Sequence, residues 1–71
     1  MDRQAQVVEQ VAYKRYRRAA SAEVRAHKRI LPAAEDPSQN FAKIIAAWER
    51  AMESRKTAWD EYMVAAEAGR A

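Results

Sequence analysis

Leu31-Pro32-Ala33-Ala34-Glu35-Asp36-Pro37 separates two long stretches that each carry a helical period, and its reading decides the fold. A proline disfavours helical geometry in the residue before it, so Pro32 is expected to end a first helix near Ile30 or Leu31. Asp36 then reads as the N-cap of a second helix. Pro37 would take the first helical position, where its missing N–H costs nothing, with Gln39 at capping-box distance. Lys28 and Arg29 before the break, and Glu35 and Asp36 after it, suit the helix dipole. The spacing predicts a first helix over about residues 2–31, a turn over 32–36 and a second helix over about 37–68. So short a connection returns the second helix antiparallel to the first, as a single hairpin domain.

With 71 residues the chain has room for only a thin core, and chains this short usually need a staple, a metal or a partner copy. Cysteine is absent and there is one histidine, which leaves no disulfide and no structural zinc site. Association with itself or with a larger protein is the route left. The hydrophobic fraction is 49%, but much of it is alanine, which favours helix and buries little area. One glycine and two prolines are few enough to serve as helix punctuation, and Gly69 reads as a C-cap. No stretch has the length of a membrane span or the apolar core of a signal peptide, so a cytoplasmic protein is expected. The alanine- and arginine-rich usage suggests a bacterial or phage source.

On the first helix, with Asp2 as a plausible N-cap, Met1, Ala5, Val8, Ala12, Ala19, Ala22, Ala26 and Ile30 fall on one shallow stripe, with Val11 beside it. A second line, Tyr13, Tyr16, Ala20, Val24, His27 and Leu31, runs beside it. The apolar sector is therefore wider than one neighbouring helix needs. On the second helix Phe41, Ile45, Trp48, Met52, Arg55, Trp59, Tyr62 and Ala66 alternate steps of four and three, as a coiled-coil seam does, with Ile44, Ala51, Ala58 and Ala65 flanking them. The large groups Phe41, Trp48, Met52 and Trp59 are expected to face the small ones Ala12, Ala19, Ala22 and Ala26.

Two arginines interrupt these patterns. Arg55 lies within the second helix's seam and Arg15 near the first helix's stripe. With the turn at 32–36, residues whose numbers sum to about 70 share a level, which sets Arg15 opposite Arg55. Such cations can snorkel along the aromatic rings, take carboxylates of a second copy such as Glu9, Glu23 or Glu61, or grip an anionic group.

Residues 1–31 hold eight basic and three acidic groups, against five and seven in residues 32–71. Lys14, Arg17, Arg18, Arg25, Lys28 and Arg29 give the first helix a basic face that could track phosphates, with Tyr13 and Tyr16 interleaved as stacking groups. No helix-turn-helix, homeodomain or ribonucleoprotein signature accompanies them. Glu23 and His27, one turn apart, lack a nucleophile or orienting group and read as a surface pair. The serines have no base within reach, and the carboxylates lack metal-ligand spacing. The alanine- and valine-rich face of the first helix buries too little area for firm membrane binding.

The sequence thus predicts an all-α, antiparallel two-helix hairpin that dimerises into a four-helix bundle around Phe41, Ile45, Trp48, Met52, Trp59 and Tyr62. Its plan resembles, in architecture alone, small plasmid- or phage-encoded regulators of the Rop type. The expected function is a non-enzymatic interaction module, an adaptor or inhibitor that regulates a larger protein, with no cofactor, metal or small-molecule substrate. Tyr13, Tyr16, Arg17, Val24 and Leu31 are the expected partner contacts, with Arg15 and Arg55 as dimer or anion contacts. The alternative is a nucleic-acid-binding accessory protein using the basic face.

Overall fold

The computed structural model describes residues 3–70, and the expected cap at Asp2 and the stripe position at Met1 lie outside them. The described chain is all-helical: α1 spans Arg3–Lys28, α2 Ile30–Glu35 and α3 Phe41–Arg70. Ring contacts fix the direction of the long helices. Tyr13 packs on Tyr62 with centroids 5.4 Å apart, Tyr16 on Trp59 at 5.0 Å, and His27 on Trp48 at 5.9 Å. Numbers rise along α1 as they fall along α3, so the hairpin is antiparallel.

Pro32 bends the first helix where the sequence predicts an end. A proline lacks the N–H that would bond the carbonyl four residues earlier, here that of Lys28, and α1 stops at that residue. Arg29 keeps a near-helical backbone (φ −83°, ψ −15°) and its N–H bonds Ala26 O at 3.2 Å, a tightened last turn. Helix then resumes, with Pro32 the third residue of α2, where a backbone donor has no intrahelical partner anyway. The chain reverses over residues 36–40, four residues later than expected.

Asp36 also departs from its expected role. Its carboxylate accepts hydrogen bonds from the Ser38 N–H (2.9 Å) and Ser38 Oγ (2.7 Å), and its carbonyl accepts one from Gln39 N (3.1 Å). These bonds close a tight turn in which aspartate caps its own loop. The N-cap of α3 is Asn40, whose Oδ1 accepts the Lys43 N–H at 3.1 Å while its carbonyl takes the Ile44 N–H. Gly69 lies inside α3, and no described residue has a positive φ, so the left-handed C-cap expected there is not formed.

The packing inverts the expected size match. Ala5, Ala12, Ala19, Ala26 and Ala33 recur every seven residues, as do Ile44, Ala51, Ala58 and Ala65, and these two lines point inward. The described residues that are buried, at most 8% exposed, are Ala12, Ala33, Ala58, Ala65 and Ala66. Small meets small along the seam, which lets the helices approach closely, and the large side chains are displaced to the flanks. Phe41 and Trp59, expected in the core, are both more than 40% exposed. Ile45, Trp48, Met52 and Tyr62 are half-buried.

The result is a rod of 56 × 13 × 11 Å with a radius of gyration of 16.3 Å, where a compact domain of this length has about 11 Å. Its accessible surface is 5793 Å². A compact monomer of 8.1 kDa exposes about 4,500 Å². The surplus reflects the elongated shape and the large side chains left on its flanks.

Candidate interaction face

The register of the hairpin follows from the position of its turn. With the reversal centred on residue 38, facing residue numbers sum to about 76 rather than 70, and the ring pairs Tyr13–Tyr62, Tyr16–Trp59 and His27–Trp48 each sum to 75. Arg55 is therefore level with Glu23, and its Nε donates to Glu23 Oε2 in an intramolecular ion pair. The expected meeting of Arg15 with Arg55 does not occur, and the carboxylate comes from the same chain. The Arg55 and Glu23 side chains are 31% and 19% exposed, at the edge of the seam rather than in solvent. The pairing also removes Glu23 from His27, whose ring lies on Trp48 instead.

Next to this pair lies the aromatic flank. Trp59 and Tyr62 contact each other at 5.7 Å between centroids, and through Tyr13 and Tyr16 the four rings form one continuous cluster spanning both helices. Each such contact contributes about 0.5–1.5 kcal/mol beyond area burial, enough to steady a hairpin whose seam is alanine. The structure thus merges residues that the sequence divides between a partner surface (Tyr13, Tyr16) and a dimer core (Trp59, Tyr62). By helical spacing, Arg17, Val24 and Leu31 continue the outer margin of this flank on α1, and Ile45 and Met52 its α3 side. Tyr16 is half-buried, while Tyr13, Val24 and Leu31 are exposed. Among the described residues, ten large apolar side chains are 38–69% exposed.

The opposite flank carries a second apolar strip, of which the sequence pattern shows Val8, Val11 and Ala65 but not Val7, Val64 or Ala68. Val7, Val8 and Val11 of α1 and Val64, Ala65 and Ala68 of α3 line two adjoining open recesses of about 330 and 470 Å³. Arg15 lies on its rim, as does Glu61, and among the described residues Arg15 makes no ion pair. The period was visible in sequence, with Val8 beside Ala12, but valine ranks below tryptophan in any search for a core.

The basic face is where the sequence places it. Lys14, Arg17, Arg18, Arg25, Lys28 and Arg29 are all exposed, and an open recess of about 340 Å³ is lined by Arg17, Arg18, Ser21 and Arg25. Among the described residues the ion pairs are Arg55–Glu23 and Lys56–Glu53, so none of these six cations has a carboxylate partner. In the turn, the hydrogen bonds from Ser38 hold the Asp36 carboxyl below the usual range. Among the described residues no group of three or more His, Cys, Asp or Glu could hold a metal ion, and no helix is long and apolar enough to cross a membrane. Comparison with protein-family models, with curated proteins and with solved structures gives no match for this chain.

Proposed function

We propose that this chain is a small, non-enzymatic interaction module of the cytoplasm, an adaptor or inhibitor that works by covering a surface of a larger protein. The observation that carries this reading is the inverted packing: the hairpin buries nothing larger than alanine and leaves its tryptophans, tyrosines and valines at least partly in water. Exposed aromatic patches rimmed by arginine have the composition of interface hot spots. A second copy laid on the aromatic flank would complete the core around Phe41, Ile45, Trp48, Met52, Trp59 and Tyr62 as a four-helix bundle. Tyr13 and Tyr16, stacked on Tyr62 and Trp59, would join that contact, and Arg17, Val24 and Leu31 would sit at the bundle's rim, available to the larger protein.

A second reading, phosphate tracking by the basic face, is favoured by one observation: six exposed cations of the first helical segment have no acidic partner. One experiment separates the two. Tagged wild-type protein, a Val24→Asp/Leu31→Asp variant and an Arg18→Glu/Arg25→Glu variant are used to capture partners from bacterial lysate, with and without nuclease. The interaction reading expects a stoichiometric protein that survives nuclease and is lost only with the aspartate variant. Recovery of nucleic acid, lost only with the glutamate variant, would overturn it in favour of phosphate binding.

A further inference from the structure

We infer that the second copy packs face to face with both turns at the same end of the bundle, so that α1 of each copy lies against α3 of the other. This rests on the dimeric reading above and goes beyond it by fixing the arrangement. The contact surface is a face rather than an edge, because the aromatic cluster draws Tyr13 and Tyr16 from α1 and Trp59 and Tyr62 from α3.

The area is sufficient for such a partner. A compact particle of twice the mass exposes about 7,500 Å². Two separate hairpins of 5793 Å² each would therefore bury about 4,000 Å² in forming one. That lies in the range of obligate homodimers, about 2,000–5,000 Å².

Only two twofold axes bring this face onto itself. An axis across the hairpin sets α1 on α1 and α3 on α3, with the turns at opposite ends. An axis along the hairpin sets α1 on α3, with the turns together.

Charge decides between them. α1 carries seven lysines and arginines against Glu9 and Glu23, and Glu23 is committed to Arg55. Its cations are free of carboxylate partners among the described residues. On α3, Glu53, Asp60 and Glu67 recur every seven residues along the outward line. Packed helices lie about 8–10 Å apart, comparable with the screening length of about 8 Å at physiological salt, so such charges still act on one another. The axis across the hairpin would align two cationic rods and two acidic lines. The axis along it preserves levels: with facing numbers summing to about 76, Lys14 comes within a turn of Asp60 and Lys28 within a turn of Glu49.

The test is a distance between turns. The chain has no cysteine, and Glu35, at the end of α2, is exposed and outside the ion pairs of the described residues. A nitroxide on Glu35→Cys, read by double electron–electron resonance at a protein concentration where the sedimentation mass is known, gives the answer. The expected result is a dimer with labels about 20–30 Å apart, the width of four helices packed at 8–10 Å. A dimer with labels separated by close to the 56 Å length of the rod overturns the arrangement while leaving the dimer standing. A mass of 8.1 kDa with no defined distance overturns the dimeric reading itself, and the arrangement with it.

Discussion

Replacing Glu23 with glutamine should destabilise the fold by about 1–2 kcal/mol, although the change removes one charge and almost no volume. Exposed ion pairs contribute about 0.2–1 kcal/mol, whereas removing one partner of a buried pair costs about 3–5 kcal/mol. Arg55 and Glu23, at 31% and 19% exposure, lie between these limits. The amide can still accept a hydrogen bond from the guanidinium, which takes the cost towards the lower side. For a chain of this size each kcal/mol moves Tm by roughly 4–8 °C, so the variant should melt about 5–10 °C lower. The assay is thermal unfolding followed by circular dichroism at one fixed protein concentration, since an associating chain has a concentration-dependent Tm. Arg55→Met and the double variant complete a mutant cycle, which isolates the pair from the packing of either side chain. A coupling of about 1 kcal/mol is expected. A coupling near zero, with Glu23→Gln as stable as the parent, would refute the register, because only a turn over residues 36–40 brings these two residues together.

Three further changes test other parts of the structure. Asn40→Ala should cost about 1 kcal/mol in urea unfolding by leaving the Lys43 N–H without its cap, whereas Gln39→Ala should be near neutral. The hydrogen bonds from Ser38 lower the Asp36 carboxyl in the folded state, so its stabilisation is fully present above the unfolded value near 3.9 and is lost as pH falls through the lowered folded value. Asp36→Ala should accordingly lose stability at pH 6 and show a smaller further loss between pH 4 and pH 2 than the parent, as read by urea titrations at each pH. Ala58→Leu should destabilise by about 1–3 kcal/mol, because Ala58 is 7% exposed on the seam where small side chains set the helix separation. If leucine is accepted there at no cost, the alanine lines are not the contact.

The two long helices and the hairpin were legible because alanine-rich, glycine-poor stretches with 3.6-residue periodicity have no competing structure. The basic face was legible for the same reason, since its placement depends only on position around one helix. What was hidden depends on which of two neighbouring lines faces the other helix. Phe41, Trp48 and Trp59 carry the stronger hydrophobic signal. The closer packing belongs to Ala51, Ala58 and Ala65, whose heptad spacing matches that of Ala12, Ala19 and Ala26. Pro32 shows a second limit: the same ring that ends a helix is tolerated in the first turn of a new one, and a single residue, Arg29, separates the two cases. From that difference in turn position the partner of Arg55 follows. Arg15 would have been set beside it by a turn four residues earlier, and Glu23 takes its place.

The central claim is that this hairpin is half of a structure, its aromatic flank covered by a second chain. Sedimentation equilibrium across micromolar concentrations tests it most directly, with a Trp59→Ala variant alongside. The account predicts a particle of twice the 8.1 kDa chain mass for the parent, and dissociation at higher concentration for the variant. A parent that stays at the mass of one chain while unfolding cooperatively would contradict it, since a seam of alanine would then have sufficed.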